Sequence, residues 1–159
     1  MRFDDPHPTD AGRRIVIRVY CDTNILVPVF VSEAQSARIE AWIESPGIDP
    51  VVSDLVVLEF SATISRLVRE RVLDDARART INGEFDAWCE ARARPLTITR
   101  QIFAIARTIV EDAALGVRGP DALHLALLQV TGLPFATFDA RLGRAAASLG
   151  LATLEPPPL

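Results

Sequence analysis

The sequence predicts an α/β fold: a three-layer α/β/α sandwich in which a mainly parallel sheet lies between two layers of helices. Short apolar and β-branched runs alternate along the chain with longer stretches of helical periodicity. The chain has 159 residues, 49% of them hydrophobic, and contains no internal repeat or interdomain linker. We therefore expect one domain over residues 15–154, preceded by a flexible lead at 1–14 and followed by a Pro-rich tail at 155–159.

The first half of the chain divides into strands and helices by its apolar periodicity. The β-branched run Ile15–Cys21 ends at Asp22 and predicts a strand buried on both faces. Ser53 suits the N-cap of a long helix, with Asp54 in the first turn, where the helix dipole favours negative charge. The other elements expected here are a helix at 25–30, a helix at 36–43, a strand at 50–52, a helix at 54–69 and a helix at 74–89.

Proline and glycine mark element boundaries in the second half. Gly119-Pro120 opens a helix, because proline is tolerated in a first turn, and Gly132 closes it. The other elements expected here are an extended segment at 95–97, a helix at 99–114, a strand at 135–138, a helix at 140–149 and an edge strand at 151–154. Strands that alternate with helices in this way favour parallel pairing.

The composition excludes several classes of protein. All 17 basic residues are arginine, which excludes a Walker A phosphate loop and any lysine Schiff base. Cys21 and Cys89 are too few for a disulfide framework or a CxxC zinc site, and we expect Cys21 to be a buried small hydrophobe. No GxSxG segment supports a serine hydrolase. The 21 acidic residues give a net charge of −4, the opposite of a protein that merely coats nucleic acid.

The location of the protein is also suggested by its hydropathy. No apolar run approaches the roughly 18 residues that a membrane-spanning helix needs. The segment Met1–Gly12 is polar and lacks the apolar region of a secretory signal. We therefore expect a cytoplasmic protein that does not associate with membranes.

Acidic side chains stand where an open α/β sheet binds its ligands, beyond the carboxyl ends of the strands. Asp22 directly follows the first strand, and Asp139 directly follows the strand at 135–138. Asp121 lies in the first turn of the helix that begins at Gly119. Each aspartate also has a structural alternative: Asp22 and Asp139 suit helix N-caps, and Asp121 complements a helix dipole.

Glu59 is a fourth candidate, because it interrupts the apolar segment Leu55–Phe60 of the long helix. An ionised carboxylate in an apolar setting costs several kcal/mol unless a cation or hydrogen bonds compensate it. No arginine lies three or four positions away, since Thr63 is at i+4 and Arg66 is two turns on. A solvent-facing glutamate on an amphipathic helix is the alternative.

Four carboxylates gathered at one sheet edge would repel one another unless divalent cations bound them. Oxygen ligands select Mg²⁺ or Mn²⁺ over zinc. Two such ions would offset the net charge of −4 and allow phosphate to approach an acidic pocket. The residues therefore indicate a divalent-cation site that accepts a phosphate group or a phosphodiester.

Four segments occur in order across residues 16–154 and carry a family resemblance. They are Tyr20-Cys21-Asp22-Thr23-Asn24, Ser53-Asp54-Leu55-Val56-Val57-Leu58-Glu59, Pro120-Asp121-Ala122-Leu123-His124-Leu125-Ala126 and Ala136-Thr137-Phe138-Asp139-Ala140-Arg141-Leu142. Through them the chain resembles the PIN-domain family, and most closely the VapC-like toxin ribonucleases of bacterial toxin–antitoxin pairs. The lead before the first strand is longer than in such toxins, and no function is assigned to residues 1–14.

The resemblance implies RNA cleavage that depends on Mg²⁺ or Mn²⁺, on an α/β/α sandwich. It implies a small antitoxin protein as partner, and we expect a homodimer. Asp22, Glu59, Asp121 and Asp139 would form the acidic cluster, with Asp22 and Asp121 as first choices for direct metal ligands. The candidates for hydrogen bonds that orient these carboxylates or the phosphate are Thr23, Asn24 and Thr137.

Alternative interpretations of these residues stay open. A non-catalytic PIN-like module that binds RNA or protein is the alternative function, although a pure binder gains nothing from acids concentrated beside phosphates. A haloacid-dehalogenase-like phosphatase needs a second aspartate two positions after the first, where Asn24 stands. His124 lies one turn after Asp121, and it either packs and hydrogen-bonds in its helix or contacts substrate.

Two further sets of residues have both a structural and a functional interpretation. Five arginines of the helix pair at 54–89 form either an RNA track or a solvated face paired with Glu70, Asp74 and Asp75. They are Arg66, Arg69, Arg71, Arg77 and Arg79. Four apolar residues either line a groove for an antitoxin helix or a dimer partner, or belong to the core. They are Val29, Phe30, Trp42 and Leu67.

Overall fold

A four-stranded parallel sheet lies at the centre of the computed structural model, which describes residues 15–31 and 36–155. The strands, in spatial order, are β3 (Arg94–Leu96), β2 (Ile48–Ser53), β1 (Ile17–Cys21) and β4 (Phe135–Ala136). β1 pairs in parallel with both β2 and β4, and β2 pairs in parallel with β3. All four strands therefore direct their carboxyl ends to the same edge of the sheet.

Helices flank this sheet, which confirms the predicted α/β/α sandwich. They are α1 (Thr23–Phe30), α2 (Ser36–Ile43), α3 (Asp54–Arg69), α4 (Asp75–Arg92), α5 (Arg100–Glu111), α6 (Gly119–Thr131) and α7 (Ala140–Ser148). The helices α1 to α4 pack against one another, and α5 packs against α6. Within the described ranges, none of them is long and apolar enough to cross a bilayer.

The local signals predict most elements, but several boundaries differ: β1 begins at Ile17 rather than at residue 15, and α5 ends at Glu111 rather than at residue 114. Ser53 caps α3, since its Oγ accepts a hydrogen bond from the backbone N–H of Val56 at 3.3 Å. Gly132 ends α6 in the left-handed conformation, with φ of 66°. The strand predicted at 135–138 stops at Ala136, because the next residues turn into the hydrogen-bond network described below. The edge strand predicted at 151–154 is reduced to a single bridge between Phe135 and Thr153.

The two ends of the chain are only partly covered by the structure. The predicted lead at 1–14 lies outside the described residues, as do residues 156–159 of the predicted tail. Glu155, the first residue of that tail, is exposed.

The core forms where β1 and the helices meet. Cys21 is fully buried, as expected, and burial raises the pKa of its thiol to about 12. Phe60 of α3 stacks on Phe85 of α4 with ring centroids 3.8 Å apart, and Phe30 meets both rings edge-on. The predicted groove residues Val29, Phe30, Trp42 and Leu67 are partly buried and pack against this core. Their contribution to packing is therefore observed.

Candidate active site

A cavity of about 760 Å³ opens at the carboxyl edge of the sheet. The four predicted carboxylates all line it, although they come from distant parts of the chain. Asp22 follows β1, Glu59 lies on α3, Asp121 lies in the first turn of α6, and Asp139 is the N-cap of α7. Thr23 and Asn24 also line the cavity, beside apolar walls that include Val27, Pro28 and Phe138.

Asp22 is the most buried of the four carboxylates, with 6% of its surface exposed. Its Oδ2 accepts hydrogen bonds from Asn24 Nδ2 at 2.8 Å and from Thr137 Oγ1 at 2.6 Å. Burial raises the pKa of Asp22, and the nearby Glu59 raises it further, whereas the charge of His124 when its ring is protonated and the hydrogen bond from Thr137 lower it. Asn24 and Thr137 therefore both bond to Oδ2 of this carboxylate and hold it in place.

A second bond of Asn24 ties the same network to the end of β4. Asn24 Oδ1 accepts a hydrogen bond from the backbone N–H of Phe138 at 2.9 Å. Thr137 Oγ1 accepts from Asn24 Nδ2 at 3.1 Å and from the backbone N–H of Asp139 at 2.9 Å. These bonds account for the early end of β4, because they replace the sheet ladder after Ala136.

Glu59 faces the cavity, and its side chain is 29% exposed. Its Oε2 accepts a hydrogen bond from Thr23 Oγ1 at 3.0 Å and lies 3.1 Å from His124 Nε2. Within the described ranges no hydrogen bond reaches its Oε1. Leu58, the preceding residue, is 67% exposed, so the helix turns its apolar neighbour outward and its carboxylate toward the site.

Asp121 and Asp139 line the cavity and also stabilise helix ends. Asp121 Oδ2 accepts from the backbone N–H of Arg118 at 3.0 Å and from Arg141 Nη2 at 2.8 Å. Asp139 Oδ1 accepts from the backbone N–H groups of Arg141 and Leu142 at 2.8 and 2.9 Å, which caps α7. The structural alternatives predicted for these two aspartates are therefore observed. They do not remove either side chain from the cavity.

The donor atoms of this site suit a hard divalent cation. In each of the four carboxylates one oxygen takes part in two hydrogen bonds with the protein. Asp22, Glu59 and His124 each offer one ligand atom within 4.8 Å of the others. Carboxylate oxygens held in this way fit Mg²⁺ or Mn²⁺. Asp121 is not a member of this closest group, and its nearest cation is the guanidinium of Arg141.

His124 is buried and hydrogen-bonded, as the first of its two predicted interpretations holds, and it also lines the cavity. Its contact with Glu59 was not predicted, and neither was the hydrogen bond between its Nδ1 and the Tyr20 hydroxyl at 2.8 Å. The spacing of three residues between Asp121 and His124 was a signal that both face the same way. Nothing local identified Glu59 as the partner.

The five arginines predicted as a possible RNA track do not all line the cavity. Arg66 and Arg69 line the cavity, whereas Arg77 pairs with Glu84 on α4 at 3.5 Å. Arg66 also pairs with Glu70 at 3.0 Å, as the salt-bridged alternative predicted. Arg69 Nη1 donates to Ser65 Oγ at 2.9 Å. Two guanidinium groups therefore stand on the same wall as the acidic residues.

Several solved structures share this fold. FitAcB of Neisseria gonorrhoeae superposes with a TM-score of 0.66 at 21% identity, over 89% of this chain and 99% of that one. VapBC2 of Rickettsia felis, bound to a DNA fragment from its promoter, gives a TM-score of 0.63 at 14% identity, over 87% and 98%. VapC20 of Mycobacterium tuberculosis, a toxin that cleaves the sarcin-ricin loop, gives 0.62 at 17% identity, over 87% and 99%.

Comparison of the sequence with known proteins identifies a family, although no individual curated protein matches. None of the curated protein sequences matches this chain. The PIN domain family model matches residues 19–148, which contain all four cavity carboxylates and most of the sandwich. The protein is therefore a member of the PIN domain family.

Proposed function

We propose that this protein is a divalent-metal-dependent endoribonuclease and the toxin component of a type II toxin–antitoxin system. The observation that carries the proposal is the convergence of Asp22, Glu59, Asp121 and Asp139 on one cavity, each with one oxygen held by the protein. Membership of the PIN domain family supports a nuclease. Concentrated negative charge beside an RNA phosphate is unfavourable unless cations neutralise it, so this arrangement favours a metal-dependent enzyme over a simple RNA binder.

Some residues of the site would bind the cation, and others orient the carboxylates that bind it. Asp22 and Glu59 would hold Mg²⁺ or Mn²⁺, with Asp121 and Asp139 completing the acidic shell. When bound, such an ion activates water for attack on phosphorus and stabilises the departing oxygen. Asn24, Thr23 and Thr137 fix the carboxylates by the hydrogen bonds described above.

The cavity wall also supplies positive charge for the substrate. Arg66 and Arg69 lie on the α3 side of the cavity, where their guanidinium groups would contact phosphates beside the scissile bond. The rest of the chain is acidic, with a net charge of −4, so binding of RNA depends on this local charge and on the cations.

The toxin role is supported by the proteins that share the fold. VapC20 is a toxin that cleaves the sarcin-ricin loop, and a toxin–antitoxin complex of Klebsiella pneumoniae superposes with a TM-score of 0.57 over 86% of this chain. By this analogy the chain would act in the cytoplasm, form a homodimer and be held inactive by a small antitoxin protein. A gene for a small DNA-binding protein beside that of this chain would favour this assignment over a general nuclease.

The test is RNA cleavage by the purified protein with Mg²⁺, Mn²⁺ or EDTA. Total RNA and transfer RNA should be cut only with a divalent cation. Asp22→Asn and Glu59→Gln should each lower the rate by about a hundredfold or more, because each removes a charged ligand. Asp75→Asn is the matched control, since Asp75 lies outside the acidic cavity and its loss should leave the rate unchanged.

The same variants separate the enzyme from the alternative. A non-catalytic PIN-like module would bind RNA but cut it neither as the wild type nor as Asp22→Asn. Expression in a bacterial host gives a second readout. The wild type should arrest growth, and Asp22→Asn should not. Cleavage that persists in both Asp22→Asn and Glu59→Gln would place the active site elsewhere.

A further inference from the structure

A chain of buried hydrogen bonds runs from the start of α3 to Glu59. Ser53 Oγ lies 2.7 Å from the Tyr20 hydroxyl, and this hydroxyl lies 2.8 Å from His124 Nδ1. His124 Nε2 in turn lies 3.1 Å from Glu59 Oε2. Ser53 and Tyr20 are fully buried, and His124 is 2% exposed. These three polar groups are therefore shielded from water and depend on one another for hydrogen bonds.

The chemistry of the groups gives this chain a direction. An ionised carboxylate only accepts hydrogen bonds, so His124 Nε2 donates to Glu59. In the neutral imidazole Nδ1 is then an acceptor, so the Tyr20 hydroxyl donates to it and itself accepts from the Ser53 hydroxyl. Ser53 Oγ still accepts from the backbone N–H of Val56. One arrangement of protons therefore satisfies every member of the chain.

The imidazole of His124 is held in place by packing as well as by these bonds. Its centroid lies 5.7 Å from that of Tyr20 and 5.9 Å from that of Phe135. Both ring nitrogens already have protein partners, Tyr20 at one and Glu59 at the other. In this arrangement Nε2 of the ring is engaged by Glu59, so the effect of His124 on the site passes through that carboxylate.

These contacts fix the Glu59 carboxylate through one oxygen, Oε2, and leave Oε1 available to a ligand. Thr23 and His124 both bond to Oε2, and within the described part of the chain Oε1 has no hydrogen bond. We propose that His124, held by Tyr20 and Ser53, is a positioning residue that orients the Glu59 carboxylate for cation binding. This inference rests on the proposed function, in which Glu59 is a metal ligand.

The first test measures Mn²⁺ binding by isothermal titration calorimetry, without RNA. His124→Leu removes the donor to Glu59 and should weaken Mn²⁺ binding about tenfold to a hundredfold. His124→Gln keeps an N–H donor on a long side chain and should restore part of this loss. Tyr20→Phe removes only the hydroxyl that fixes the ring and should give a smaller loss than His124→Leu. Thr131→Val is the control, because Thr131 lies on the same helix and its hydroxyl bonds to the backbone of Leu127 and Leu133, near the end of that helix.

A double-mutant cycle tests whether His124 acts through Glu59. In a Glu59→Gln protein, the further change His124→Leu should leave Mn²⁺ affinity unchanged, because the carboxylate that it orients is gone. RNA affinity in EDTA should be the same for the wild type and His124→Leu, which excludes a role in holding substrate. Tyr20→Phe and His124→Gln carry the test if His124→Leu does not fold.

Two results would overturn the inference. One is an equal loss of Mn²⁺ affinity from His124→Leu with and without Glu59, which would make His124 a direct ligand. The other is wild-type Mn²⁺ affinity in His124→Leu, His124→Gln and Tyr20→Phe while the wild-type protein binds Mn²⁺ and cuts RNA. A wild-type protein that neither binds Mn²⁺ nor cuts RNA would instead refute the proposed function itself.

Discussion

Each carboxylate in the cavity uses its two oxygens differently. One oxygen takes part in two hydrogen bonds with the protein, as Asp139 Oδ1 does with two backbone N–H groups at the start of α7. The other oxygen is left for the cavity, and for Glu59, Asp121 and Asp139 it has no hydrogen bond within the described residues. Capping a helix and holding a cation are therefore compatible roles for one side chain. The sequence left open whether these residues cap helices or bind a cation, and the structure allows each of them to do both.

Asp22 should destabilise the metal-free protein as the pH rises. Burial raises the pKa of Asp22 above its ordinary value of 3.8, so the folded state binds this proton more tightly than the unfolded state. The contribution of this protonation to the free energy of unfolding is fully present below pH 3.8. It is lost as the pH rises through the higher pKa of Asp22 in the folded state. Each unit of pKa difference is worth about 1.4 kcal/mol.

Urea unfolding in EDTA of the wild type and Asp22→Asn, from acid to neutral pH, measures this effect. The free energy of unfolding of the wild type minus that of the variant should fall as the pH rises. Other carboxylates cancel in this difference, because both proteins contain them. A difference that is constant or rises with pH would show that the Asp22 carboxylate is not penalised by burial.

The helix α3 combines acidic and basic parts of the site on one element. Ser53 caps its start, and Glu59, Thr63 and Arg66 recur at helical spacing along the side that faces the cavity. Arg69 lies one turn beyond. A single helix therefore sets the distance between the acidic cluster and the guanidinium groups, so a strand of RNA that enters the cavity would meet both.

Arg69 should contribute to RNA affinity. We expect Arg69→Gln to weaken RNA binding about tenfold, because one charge-assisted phosphate contact is lost. The slope of log affinity against log salt should also fall by about 0.7 for a single-stranded RNA. Fluorescence anisotropy with an Asp22→Asn protein, which should bind without cutting, measures both quantities.

Arg77→Gln is the control for that experiment. Arg77 lies on α4, pairs with Glu84 and does not line the cavity. Both variants remove one positive charge, so an equal loss of affinity would mean that only net charge matters. In that case α3 would provide no specific RNA contact.

The whole molecule brings the site together from separate parts of the chain. Residues after β1, on α3, on α6 and before α7 meet only because the parallel strands end at one edge. In the unfolded chain these residues are far apart. A cation that binds them in the folded state therefore has no comparable site in the unfolded state.

Mn²⁺ should accordingly stabilise the fold. At a concentration of 100 times its Kd, one ion contributes about 2.7 kcal/mol, which corresponds to a rise in Tm of roughly 5–10 °C for a domain of this size. Thermal unfolding followed by circular dichroism, with Mn²⁺ or with EDTA, measures the shift. Asp22→Asn should abolish the shift and Asp75→Asn should keep it. The same shift in all three proteins would mean that Mn²⁺ binds elsewhere.

Much of the fold was predictable because its signals are local. The cap at Ser53, the glycine that ends α6 and the alternation of strands with helices each depend on a few neighbouring residues. The errors came where tertiary contacts overrode such signals. The strand at 135–138 loses its last two residues because Thr137 and Phe138 bond to Asn24, which is more than a hundred positions away.

The sequence by itself determined the sheet, the family resemblance and the four carboxylates at the edge of the sheet. It did so because strand ends and helix starts depend on patterns of a few neighbouring residues. Only the tertiary structure decided their partners. His124 meets Glu59 across 65 positions and Tyr20 across 104, and Asp121 meets Arg141 across 20. Such contacts depend on how whole elements pack, and no spacing within one element encodes them.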